Sequence, residues 1–149
     1  TFEANAAIKA RAVHALSGGW VVADDSGIEV DALGGAPGVQ SKRYSDEGTD
    51  AANNRKLLAA LDGRDDRQGR FRCVIAVVDP AGNERFAEGR CEGTIAIEER
   101  GADGFGYDPL FLPDDHPGRS MAQLSMSEKN AISHRGRAFR QLAGLLEAR

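Results

Sequence analysis

The 149-residue chain contains two cysteines, Cys73 and Cys91. There is no Cys-x-x-Cys pair and no histidine cluster at zinc-finger intervals, so neither a disulfide framework nor a structural zinc site organises the fold. Both cysteines lie in strand-like surroundings and read as reduced, buried residues. No apolar run approaches the ~20 residues that span a bilayer. No basic, apolar, small-residue leader precedes the first helical pattern, which points to the cytoplasm and away from a membrane. Excess positive charge is also absent. Lys and Arg number 19 against 23 Asp and Glu, a net charge of −4, so the chain lacks broad attraction for nucleic acid or an anionic membrane surface. Any phosphate site must be local. Internal repeats and low-complexity tracts are missing. The stretch Gly34-Gly35-Ala36-Pro37-Gly38 lacks the Lys-Ser/Thr ending of a P-loop and reads as architecture.

A hydrophobic content of 41% fills the core of one domain, 1–149. Apolar residues Phe2, Ala6, Ile8, Ala12, Val13 and Leu16 predict a first helix stopped by Ser17-Gly18-Gly19. Trp20 to Ala23 reads as a short strand entering a turn at Asp24-Asp25-Ser26-Gly27, with a returning strand from Ile28 to Leu33. Thr49 caps a second helix running to Leu61. Phe71 to Val78 is a well-buried strand, turned back at 79–83 into a return strand over 85–97. Gly89 and Gly93 in that strand mark either a bulge or a close backbone approach. A glycine-aromatic loop follows at 101–113. Ser125 and Glu128 have capping-box spacing, and Ala138, Leu142, Leu145 and Leu146 continue a helical stripe to the end. The fold class is α/β, or mixed α+β: a central mixed sheet with a long antiparallel hairpin, flanked by helices.

Three places can carry chemistry. Asp24-Asp25 offers carboxylate oxygens suited to Mg²⁺ and to orienting a water, although such pairs in isolation are more often turn formers. Ser26 and Gly27 beside them permit close approach of a phosphate or sugar. In Phe105-Gly106-Tyr107-Asp108, an aromatic face can stack on a purine and Asp108 can accept from ring nitrogens; the alternative is that the aromatics anchor the loop in the core. Lys129 with Ser133-His134-Arg135 forms a cationic group suited to polyphosphate or a purine carbonyl, against the alternative of a solvated helix face. Lys9 alone reads as exposed.

In order along the chain, Thr1-Phe2 with Asn5-Ala6 and Lys9-Ala10, ADDSG at 23–27, LGGAPGV at 33–39, GFGYDPLF at 104–111 and EKNAISHRG at 128–136 resemble the inosine triphosphate pyrophosphatase family, the dITP/XTP pyrophosphatases. Each block is weak alone; their joint order carries the specificity. The resemblance implies hydrolysis of non-standard purine nucleoside triphosphates (ITP, dITP, XTP) to the monophosphate and pyrophosphate, cleansing the nucleotide pool. It implies Mg²⁺ as cofactor and a homodimer. Asp25 matches the catalytic acid and metal ligand, and Ser26 a substrate contact. Phe105, Gly106, Tyr107 and Asp108 match the base-binding loop, Lys129 a substrate-binding lysine, and His134 and Arg135 the pair that reads the purine. Lys9 corresponds to a basic residue facing the phosphates. The resemblance also gathers these residues into a single cleft. Relatives carry a strand, a Ser/Thr-x-Asn-x-x-Lys loop, a helix and a further acidic residue ahead of the first matched residue. The chain is therefore expected to be a truncated form with a newly exposed sheet edge. Two other readings stand beside this one: a pyrophosphatase for modified pyrimidine nucleotides, and a nucleotide-binding module without catalysis.

Overall fold

The computed structural model describes residues 1–147; the last two residues of the expected domain, 148 and 149, lie outside the described residues. Helix α1 (Phe2–Ser17) is fixed by its ends. The Thr1 hydroxyl accepts from the Ala4 N–H at 2.9 Å, and Gly18 closes the helix at φ 68°, a conformation that side chains resist. Its buried face is Phe2, Ala6, Ala7 and Ala10, while Ile8, Val13 and Leu16 of the expected apolar stripe are exposed. Small alanines let the helix backbone lie close to the strands beneath it.

Strand β1 (Val21–Val30) runs straight through Asp24-Asp25-Ser26-Gly27. The expected turn and returning strand are one continuous strand. Turn-rich composition is overridden because both carboxylates find partners on neighbouring helices, described below. Helix α2 (Asp50–Ala60) begins where expected, with the Thr49 hydroxyl accepting from the Ala52 N–H at 3.2 Å. It buries Leu57 and Leu61 completely, each contributing about 1.5–3 kcal/mol.

Strands β2 (Gln68–Val78) and β3 (Glu84–Ile95) form the long hairpin. Its turn is closed by the Asp79 carboxylate, which accepts from the Ala81 and Asn83 N–H groups at 2.9 Å each. Strand β4 (Phe111–Pro113) pairs antiparallel with β3 in the register Gly93↔Pro113, Thr94↔Leu112, Ile95↔Phe111. The sheet order is β1-β2-β3-β4, antiparallel throughout rather than mixed, and the α/β class with its hairpin and helices stands. Short 3₁₀ turns occupy Asp31–Leu33, Gly38–Arg43, Asp108–Leu110 and Met121–Gln123. The last helical region is two helices, α3 (Met126–Ile132) and α4 (His134–Glu147). The Ser125–Glu128 capping box forms as expected, with reciprocal bonds of 3.0 and 3.1 Å. Ser133 separates the helices, its hydroxyl accepting from the Gly136 N–H at 3.0 Å as the cap of α4.

The chain divides into two compact units, and β1, β2 and β3 contribute residues to both. One comprises Thr1–Ser26, Arg72–Arg90 and Ser133 onwards. In it, strand alternation sends Val21, Ala76 and Val78 against Ala6 and Ala10 of α1. Cys73, Ile75, Val77 and Ala87 face Ala138 and Leu142 of α4. The strands here are thus covered by a helix on each face. Gly89 is a close approach: a Cβ there would enter the backbone of His134, Arg137 and Ala138. The other unit comprises Gly27–Phe71 and Cys91–Ile132. Its core gathers Ile28, Val30, Leu57, Leu61, Tyr107, Leu110 and Met121 around a tilted Phe71–Phe111 pair with centroids 4.6 Å apart. Gly93 is also a close approach, against the Leu112 carbonyl and the Phe111 ring.

Candidate active site

Side chains alternate along β1, so Asp24 and Asp25 face opposite sides. Asp25 turns to α1. The Asn5 amide donates to its Oδ2 at 3.3 Å and the Lys9 ammonium to its Oδ1 at 3.4 Å. Lys9 also donates to the Asp24 carbonyl at 2.8 Å, tying the helix to the strand at this point. Asn5 and Lys9 are four residues apart, one above the other on the helix face that looks at Asp25. Asp24 turns to α4, where Arg135 Nη2 donates to its Oδ2 at 2.9 Å. The Cys73 thiol lies 3.9 Å from the same oxygen. Burial, and next the Asp24 carboxylate, push that thiol up to about 11, so it stays protonated and unreactive at neutral pH. Ser26 follows Asp25, half-buried, and His134 begins α4, also half-buried.

The second group belongs to the other unit. Phe105 is 73% exposed, whereas Tyr107 is 5% exposed and its hydroxyl donates to the Ser41 carbonyl at 2.6 Å. Burial raises the Tyr107 phenol above its usual range. One aromatic is presented to solvent and the other is sunk as an anchor. Gly106 between them adopts φ 59°. Its N–H donates to the Asp50 carboxylate at 2.9 Å and its carbonyl accepts from the Asn54 amide at 3.0 Å, so α2 grips the loop at its tip. Asp108 is buried; its carboxylate pairs with the Lys129 ammonium and accepts from the Phe105 N–H at 3.1 Å. The same ammonium lies 4.5 Å from the Phe105 ring centroid, within cation–π range. A Cβ on Gly104 would strike Asp108, so this tight wrap needs glycine there.

Of the expected site residues, Asp25 is joined to Lys9, and Arg135 to Asp24. Lys129 is joined to Asp108 and Phe105. Asp50 and Asn54, which hold Gly106 from more than fifty positions away, escaped the sequence reading. A first-turn aspartate and a polar residue in an alanine-rich helix carry no local signal of such a role. Among the described residues, no group of three or more His, Cys, Asp or Glu is placed to hold a metal ion. Mg²⁺ is commonly held by one or two carboxylates, with water and substrate phosphate completing the shell. Asp25 fits that donor set as a single protein ligand, its side chain 19% exposed.

The model of the Ham1 family matches residues 1–145. The dITP/XTP pyrophosphatase of Nitratidesulfovibrio vulgaris is 54% identical over an alignment taking in 99% of this chain and 75% of that protein. The Ham1 protein of Staphylococcus aureus has a similar structure, with a TM-score of 0.95 and 42% identity over 99% of this chain and 77% of that one. A HAM1 protein from Coxiella burnetii matches with a TM-score of 0.93 and 45% identity over 100% of this chain and 78% of its own. Sequence and backbone agree along nearly the whole chain, and with that agreement the chain belongs to the Ham1 family.

Proposed function

We propose that the protein hydrolyses non-standard purine nucleoside triphosphates, of the ITP, dITP and XTP kind, to the monophosphate and pyrophosphate. The likeness to named dITP/XTP pyrophosphatases along almost the entire chain carries this reading. Asp25 accepts a proton from the attacking water. The water oxygen then forms a bond to the α-phosphorus, and the bond from that phosphorus to the bridging oxygen breaks, releasing pyrophosphate. Asn5 holds the Asp25 carboxylate in orientation, and the Lys9 ammonium supplies positive charge beside it. Bound at Asp25, Mg²⁺ would neutralise charge on the phosphoryl oxygens.

The exposed Phe105 ring stacks on the purine. Lys129 takes one ring face and leaves the other for the base. Gly106, Tyr107 and Asp108 hold that loop in shape, and Ser26 contacts the substrate beside Asp25. Arg135, with His134, donates to the 6-oxo group of hypoxanthine or xanthine. The 6-amino group of adenine would set donor against donor there. The active form is taken as a cytoplasmic homodimer; among the described residues no helix is long and apolar enough to cross a membrane.

Pyrophosphate release measured across ITP, dITP, XTP, ATP, GTP and modified pyrimidine triphosphates tests the assignment. The expected result is preference for the non-standard purines and loss of turnover in Asp25→Asn, with the melting temperature kept. Near-native hydrolysis by that variant, preference for pyrimidines, or binding of ITP without any product would each overturn it.

A further inference from the structure

We propose that Asp24 is a positioning residue that holds the Arg135 guanidinium in one orientation and thereby sharpens discrimination among purine bases. This rests on the reading of Arg135 as the group that meets the base carbonyl.

The argument begins with strand alternation. Adjacent aspartates on a strand cannot face the same side, and here they meet different helices: Asp25 meets Asn5 and Lys9 of α1, while Asp24 meets Arg135 of α4. The doublet is therefore two separate devices. The backbone end of Arg135 is already fixed. Gly89 lets the first turn of α4 sit on β3, Ser133 caps that turn, Arg137 donates to the Arg90 carbonyl at 2.8 Å, and the Gln141 side chain accepts from the Glu88 N–H.

The far end of Arg135 is another matter. Its side chain is 55% exposed, and a long exposed arginine samples many rotamers unless something holds its fork. Asp24 does so through a 2.9 Å charge-assisted bond from a side chain only 34% exposed on a strand interior. Lys9 bonds the Asp24 carbonyl, so the residue that holds the arginine is itself held. A guanidinium tied at one nitrogen presents its remaining N–H groups over a narrower range of orientations. That is the arrangement needed to reward an acceptor at the 6-position and to penalise a donor there.

The test is a double-mutant cycle of Asp24→Asn and Arg135→Ala, with Asp24→Glu as the conservative variant. Readouts are kcat and KM for pyrophosphate release from ITP and ATP, and melting temperature to confirm the fold. Asp24→Asn is expected to lower the ITP-to-ATP ratio of kcat/KM by about tenfold, the scale of one oriented polar contact. The loss should fall mainly on KM for ITP, with partial rescue by Asp24→Glu and no further effect in the Arg135→Ala background. The proposal is overturned if Asp24→Asn lowers kcat equally for both substrates, as a lost metal ligand would, or if its effect persists when Arg135 is gone. An unchanged ratio in Arg135→Ala itself removes the base-reading role, and the proposal with it. Absence of ITP hydrolysis by the unmodified protein refutes the broader function separately.

Discussion

Replacing Lys129 with methionine removes the counter-charge of a carboxylate that has little access to water. The paired side chains are 14% and 7% exposed. Breaking such a pair from one side costs about 3–5 kcal/mol, because the remaining charge stays buried. Asp108 keeps the Phe105 N–H at 3.1 Å, which places the expected loss near the lower end, at about 3 kcal/mol. For a chain of this size, that corresponds to a fall in Tm of about 6–12 °C. The double variant Lys129→Met, Asp108→Asn should recover most of it, since the stranded charge is gone while an amide can still accept from Phe105. Urea denaturation and calorimetry of the parent, both singles and the double measure the cycle. A loss under about 1 kcal/mol for Lys129→Met, or strict additivity in the double, would refute the claim that this pair is electrostatically coupled and buried.

Gly89→Ala should cost about 1–3 kcal/mol, because the added carbon meets only backbone of α4. That helix carries Arg135, so the ITP-to-ATP selectivity should fall with stability. A variant as stable and selective as the parent would disprove the close seating. For Cys73, the raised thiol pKa means the folded state favours the protonated form. Its contribution is complete below the ordinary value of 9.0 and is lost as pH rises through about 11. Urea midpoints should decline over that window and decline less in Cys73→Ala, and iodoacetamide should label the folded protein slowly at pH 8. Rapid labelling under native conditions contradicts the burial.

Local pattern carried much of the fold. The Thr49 cap, the Ser125–Glu128 capping box and the hairpin turn at 79–83 all form as expected, since each is decided by residues within one turn of each other. What composition could not convey was long-range partnership. Asp24 and Asp25 look like a turn until Arg135, 111 positions away, and Lys9 and Asn5 on a separate helix are known to meet them. Along α1 only Phe2 and Ala6 of the expected stripe are buried, for a related reason. Large side chains suggested the stripe, but tight packing selected alanines. In the aromatic loop, Tyr107 takes the anchoring alternative, while Phe105 is exposed. The pattern alone did not separate the buried aromatic from the exposed one.

Two consecutive asparagines on α2 reach in different directions. Asn53 accepts from the Ser45 N–H at 2.7 Å and donates to the Lys42 carbonyl at 3.1 Å, while Asn54 donates to Gly106. Rotation per residue along a helix is fixed at about 100°, so the angle between these two arms is a property of adjacency alone. One residue inserted or deleted before them within α2 would swing both amides off their targets together, releasing two loops in a single event. Length variation among homologues should therefore avoid the first turns of this helix and collect in the exposed link from Asp62 to Asp66, where no such bearing has to be kept.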